Sequence, residues 1–159
     1  GDTIRKSDVA GKIFVTDYFF TTCGGICPKM TTQLQRVQSE FLDDPKFLIL
    51  SHTVNPSTDS IAVMYNYAKR FNADPKKWWF LTGSKTELYT MARKSYLIVP
   101  DEADPNFDHG GESDFIHTEN FVLIDPEGRI RGIYDGTNEG EVSELIRDVY
   151  DLKREYKFD

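Results

Sequence analysis

Clustered basic residues, long apolar runs and scattered cysteines are all missing from this sequence, and each absence narrows what the protein can do. Acids outnumber bases 26 to 19, for a net charge of −7. An acidic chain without a basic patch argues against nucleic acid or anionic lipid as the main partner. No apolar run approaches the roughly 18 residues needed to cross a bilayer. No charged-then-apolar leader precedes the first strand pattern. There are only two cysteines, both in Cys23-Gly24-Gly25-Ile26-Cys27. A disulfide framework would spread its pairs to close long loops; these two close almost none, so they point to chemistry rather than stapling.

What is present reads as one domain over residues 1–159, with 39% hydrophobic and 28% charged residues, an ordinary globular balance. No repeat, linker or low-complexity tract interrupts an alternation of strand and helix patterns. Strands are predicted over Lys12–Phe20, Phe47–Val54, Trp78–Leu81, Asn120–Ile124 and Arg129–Tyr134. The helix Pro28–Phe41 has Pro28 in its first turn and a stripe of Met30, Leu34, Val37 and Phe41. A second helix, Thr58–Phe71, presents Ile61, Met64, Tyr65, Ala68 and Phe71. A weaker one covers Thr86–Tyr96, and Val99–Ser113 reads as loop. Asp125-Pro126-Glu127-Gly128 is a turn signal joining the last two strands as an antiparallel hairpin. A capping box from Asn138 to Glu141 opens the last helix, whose stripe is Val142, Leu145, Ile146 and Val149. Trp78 and Trp79 must face opposite sides of their strand. The order β-α-β-α-β-α-ββ-α predicts an α/β fold of thioredoxin-like or peroxiredoxin-like type, three layers with a mixed central sheet flanked by helices.

The cysteine pair falls between the first strand and the first long helix, in the crevice where open α/β sheets place their sites. A helix N-terminus supplies unpaired N–H groups and partial positive charge, which favour thiolate over thiol. Gly24 and Gly25 leave the connection free to curl. Two close thiolates either bind a soft metal or cycle between dithiol and disulfide. A third ligand would sharpen the metal preference, and the histidines are His52, His109 and His117. His117 stands just before the fourth strand, where thioredoxin-like folds bring a loop to the cysteine site and usually place a proline. Two sulfurs and an imidazole suit Cu(I); structural zinc would want a fourth protein ligand, and none is evident. His52 is expected to be structural or exposed, and His109 an exposed loop residue. Asp59 reads either as a helix N-terminal charge or as a functional carboxylate. The acidic stretch Asp101–Asp108 reads as a solvated face.

TTCGGICPKM, then LSHTVNPSTDS, KKWWFLTGS and IHTENFVLIDPEGRIRGIYDG, resembles the Sco/SenC family, in order from about Gly11 to Tyr150. The resemblance implies a thioredoxin-like copper protein acting in cytochrome c oxidase assembly, with Cys23, Cys27 and His117 as metal ligands and one copper per chain. It implies as partners the copper-bearing subunit of the oxidase, a copper donor and a thiol reductase. It also implies an N-terminal membrane anchor that this sequence does not include, and a place in the bacterial periplasm or facing the mitochondrial intermembrane space. Gly24-Gly25 departs from the Pro-Asp that the family often carries there, which leaves the ligands in place but bears on loop stiffness and redox potential. Two other readings stay open: a thiol–disulfide oxidoreductase acting through Cys23 and Cys27, and a peroxidase. Phe19-Phe20-Thr21-Thr22-Cys23 is similar to the peroxiredoxin approach to its reactive cysteine, and Arg93 or Arg131 would then polarise peroxide.

Overall fold

The computed structural model describes residues 3–21, 26–84, 86–87 and 119–158, the side chains of Ile26 and Cys27 excepted. Within them the chain runs α1 (Lys6–Val9), β1 (Ile13–Phe19), α2 (Ile26–Glu40), β2 (Phe47–Thr53), α3 (Ile61–Arg70), β3 (Trp78–Leu81), β4 (Asn120–Ile124), β5 (Ile130–Asp135) and α4 (Glu139–Glu155). The five strands form one sheet in the order β3-β2-β1-β4-β5. β1, β2 and β3 are parallel, whereas β4 is antiparallel to β1 and β5 antiparallel to β4. This is the expected thioredoxin-like α/β sheet.

β1 and β2 are buried along their full length, as parallel strands covered on both faces must be, and their sequences are accordingly rich in β-branched and aromatic residues. One face carries Ile13, Val15, Ile49, Trp78, Phe121 and Leu123 against Met30, Leu34 and Val37 of α2 and Val142, Leu145, Val149 and Leu152 of α4. The other carries Phe14, Tyr18, Leu48, Leu50, Val122 and Ile124, with Val9 of α1 packed on it. Trp78 is in the core and Trp79 half-buried on the opposite face, as the strand period requires. The helix predicted over Thr86–Tyr96 is described only at 86–87, where it is helical; its remainder and the Val99–Ser113 loop lie outside the described residues.

α3 differs from expectation in its start and its face. It begins at Ile61, because the Ser60 hydroxyl accepts the Val63 N–H and caps it. Its buried side is Met64, Tyr67 and Phe71, joined to Phe19, while Ile61 and Tyr65 are exposed. Two overlapping stripes share Met64 and Phe71, so periodicity alone does not choose between Tyr65 and Tyr67. Specific contacts do: the Tyr67 ring lies 5.3 Å from Phe19, and its hydroxyl hydrogen-bonds Thr31 of α2 at 3.0 Å. Gln38 of α2 completes the join, donating to Asn72 O at 3.0 Å and accepting from Asp74 N at 2.7 Å.

The hairpin turn is built on the buried Asp125. Its carboxylate accepts from the N–H groups of Glu127 and Arg129 and from the side chains of Arg129 and Arg131. Burial alone would raise its pKa, but these donors outweigh it and bring the group down to about 2. Gly128 closes the turn at φ 83°. The capping box at α4 is half formed. Asn138 accepts the Glu141 N–H at 3.1 Å, but the Glu141 carboxylate turns to the Asp135 N–H, the donor that β5 leaves free at its end.

β4 and β5 close at Gly136, whose N–H reaches Glu119 O. A Cβ on Gly136 would stand 2.6 Å from the fully buried Phe121 ring. Gly136→Ala is therefore expected to lower unfolding stability by about 1–3 kcal/mol, read from denaturant midpoints. An unchanged midpoint would show that Phe121 has room to move.

Candidate metal centre

β1 delivers the chain to the cysteine turn. Its ladder with β2 ends at Phe19, where Val54 N donates to Phe19 O at 2.8 Å, and the described chain continues to Thr21. Cys23 lies outside the described residues. Cys27 is the second residue of α2, so its backbone belongs to the first helical turn, while its side chain is not described. That turn holds no acidic residue of its own to oppose the helix dipole in favouring thiolate.

β4 supplies the other half of the frame. Thr16 pairs with Val122 and Phe14 with Ile124, so the entry to β4 at Asn120 lies at the end of the sheet from which β1 leaves. His117 lies outside the described residues, three positions before that entry. Three residues reach at most about 10 Å, and paired strands are about 4.8 Å apart. The connections are thus short on both sides. His109, Arg93 and the Asp101–Asp108 stretch also lie outside the described residues. Among the described residues no group of three or more His, Cys, Asp or Glu is placed to hold a metal ion.

Arg131 is placed and does not serve the peroxidase reading. It is bound to Asp125 and, through two bonds of 2.7 and 2.8 Å, to Glu155. It follows Ile130, which pairs with Ile124, so it stands at the opposite end of the sheet from the cysteine turn.

His52 is structural, as expected. It is buried, bonded through Nδ1 to the Thr16 hydroxyl at 3.0 Å, and stacked on Tyr18 with centroids 5.0 Å apart. Burial lowers its pKa to about 4, against a hydrogen bond to the Asp17 backbone, so it is neutral at pH 7. On the other face, Asp17 accepts from Ser51 Oγ at 2.5 Å, and Ser51 in turn accepts from Trp78 Nε1 at 3.0 Å. Burial pushes Asp17 up to about 7, only partly offset by Ser51.

Asp59 does not take the helix N-terminal role that its place in the sequence suggested. It is fully buried. Its carboxylate accepts from Thr21 N at 3.1 Å, from Thr21 Oγ1, and from Thr53 Oγ1 at 2.7 Å. The cap of α3 falls to Ser60 instead. The available signal was an Asp after the Asn55-Pro56 turn, on the strand end shared with Thr21 and Thr53.

The sequence model described as SCO1/SenC matches residues 1–153. The SCO1 protein homolog of Bacillus subtilis is 27% identical over 151 residues, covering 94% of this chain and 75% of the relative. Protein sco1 of Schizosaccharomyces pombe is 29% identical over 151 residues, and there the chain spans only about half of the relative, 53%. Among solved structures, a SCO1/SenC family lipoprotein from Bacillus anthracis superposes with a TM-score of 0.76 at 26% identity, covering 92% of this chain and 84% of that one. BsSco, described as a cytochrome c oxidase assembly protein of the Sco family with a disulfide switch, gives 0.77 at 27%, covering 96% and 86%. Yeast Sco1 with copper bound gives 0.67 at 25%, covering 91% and 79%.

Asp17 and His52 oppose one another in their pH dependence. The stability tied to Asp17, whose pKa is raised, is complete below pH 3.8 and is lost as pH rises through about 7. The stability tied to His52, whose pKa is lowered, is complete above pH 6.5 and is lost as pH falls through about 4. Asp17→Asn should therefore gain on the wild type as pH rises from 4 to 7, and His52→Phe should gain as pH falls from 6.5 to 4. Each gain is limited to about 1.4 kcal/mol per pH unit. Urea unfolding across this range checks both, and difference curves of the same sign would refute the assignment.

Proposed function

The chain belongs to the SCO1/SenC family, and from that premise we propose that its 159 residues form one thioredoxin-like domain that carries a single copper ion on Cys23, Cys27 and His117. The observation that carries this reading is topological. β1 leads into the Cys-x-x-x-Cys turn and β4 is entered just after His117, at one end of one sheet. The donor chemistry fits copper. Thiolates select Cu(I), and imidazole accommodates both oxidation states. The helix N-terminus helps keep both sulfurs deprotonated, as metal binding requires. Copper is the cargo, so the site must release it. Three protein ligands leave an open side at which an incoming thiolate or imidazole of the target can replace them one at a time.

The copper-bound yeast Sco1 structure supports copper as the metal. The description of BsSco as a cytochrome c oxidase assembly protein supports delivery to the copper-bearing subunit of that oxidase. A copper donor and a thiol reductase complete the cycle, because a Cys23–Cys27 disulfide could not ligate the ion. The lipoprotein relative supports tethering to a membrane; we place the domain in the bacterial periplasm at the outer face of the inner membrane, with the mitochondrial intermembrane space as the alternative. Among the described residues no helix is long and apolar enough to cross a membrane.

The disulfide switch of BsSco favours a second reading, in which the same pair reduces target cysteines. Cys23 would attack the target disulfide and Cys27 would resolve the mixed disulfide, leaving a Cys23–Cys27 disulfide and a reduced target.

Copper titration of the reduced protein separates the two. The wild type should bind one equivalent of Cu(I), and with Cu(II) it should show a thiolate charge-transfer band. His117→Ala should bind Cu(I) about tenfold or more weakly, and Cys27→Ser should lose the band. Equal binding by wild type and His117→Ala would refute the ligand set. Metal-free disulfide reduction indifferent to His117→Ala would favour the oxidoreductase.

A further inference from the structure

We infer that Asp59 is a positioning residue for the cysteine turn, acting through Thr21, an assignment that rests on the proposed role of Cys23 and Cys27. The β1–β2 ladder holds the chain as far as Phe19. Thr21 lies beyond the register of that ladder, two residues before Cys23. The Asp59 carboxylate takes up both its backbone N–H and its hydroxyl. The same carboxylate is anchored to β2 through Thr53 Oγ1 at 2.7 Å, and Thr53 Oγ1 in turn accepts Asn55 N at 2.9 Å. The loop after β2 is thereby tied to the exit of β1.

The choice of residue is informative. A carboxylate removed from water is costly unless its oxygens are fully hydrogen-bonded, and among the described residues no cation pairs with Asp59. Among the described residues the hydrogen bonds of its carboxylate go to two threonines at the site end of the sheet, two of the three to Thr21. Four residues, 22–25, separate Thr21 from the first residue of α2 at Ile26. Two of these are glycines, which add no stiffness of their own. The span available to the turn is therefore set by its two fixed ends, the helix on one side and Thr21 on the other. Releasing Thr21 widens the range of sulfur separations in the metal-free protein, and a less preorganised site binds more weakly.

Two readouts test this beside thermal unfolding: Cu(I) affinity by competition with a chromophoric Cu(I) chelator, and the midpoint potential of the Cys23–Cys27 pair in metal-free protein. Asp59→Ala and Thr21→Val should each weaken Cu(I) binding on the order of tenfold, the size usual for groups that orient metal ligands, and should shift the potential. Asp59→Asn and Thr21→Ser keep the hydrogen bonds and should stay within about twofold of wild type. Thr53→Val, which loosens the anchor but leaves both bonds to Thr21, should lose stability and move the two readouts less than Thr21→Val does. If Asp59→Ala does not fold, Thr21→Val against Thr21→Ser decides. The proposal is overturned if Thr21→Val changes stability alone, or if Thr53→Val moves both readouts as far as Thr21→Val does. A wild type that binds no Cu(I) would remove the copper reading, and the positioning role would then stand or fall on the potential.

Discussion

The pairing of β1 on both of its edges is the constraint from which the rest of the molecule follows. On one side β2 runs parallel to it, from Ile13↔Phe47 to Phe19↔Thr53; on the other, β4 runs antiparallel, with Thr16 opposite Val122. A parallel neighbour puts the ends of β1 and β2 together. An antiparallel neighbour puts the beginning of β4 there as well. The cysteine turn, the Asn55–Ser60 loop and the entry to β4 are therefore gathered at one end of the sheet by register alone. With every residue of β1 buried, a one-residue slip would send core side chains to the wrong face across three strands, so this convergence is strongly specified.

The fold was legible because the signals that set it are local and periodic. Runs such as IFVTDYF and FLILSHT announce buried strands, the Met30–Leu34–Val37 stripe announces a helix on the sheet, and Asp125-Pro126-Glu127-Gly128 announces the hairpin. The mixed sheet followed from connection lengths, since a four-residue turn can join only antiparallel strands. The proposed site is read from residue types alone. Two cysteines four apart before a helix, and no others, leave few chemical uses.

What was not legible depends on contacts between distant segments. Which side of α3 faces inward is decided by Phe19 and Thr31, more than thirty positions away in sequence. The second half of the α4 capping box is lost because Glu141 finds a donor at the end of β5. Asp59 is the clearest case. An acidic residue just before a helix normally reads as a surface charge acting on the helix dipole. It turns inward because Thr21, just beyond β1, and Thr53, the last residue of β2, present three donors to one carboxylate. No window along the chain contains that information.

The same level of the sheet shows a wider pattern. The first halves of β1 and β2 are apolar, through Ile13, Phe14 and Val15 and through Phe47, Leu48 and Ile49. Their second halves bring Thr16, Asp17, Ser51, His52 and Thr53 into full burial. The change occurs in register, with Asp17 opposite Ser51 and Tyr18 opposite His52, so polar groups answer one another across the ladder at these positions. Such groups weaken a core unless each is bonded. Here Thr16 serves His52, Ser51 links Asp17 to Trp78, and Thr53 holds Asp59. An apolar sheet would satisfy the demands of packing more simply. Hydrogen bonds add direction to burial, and direction is what a turn containing two glycines requires from its surroundings.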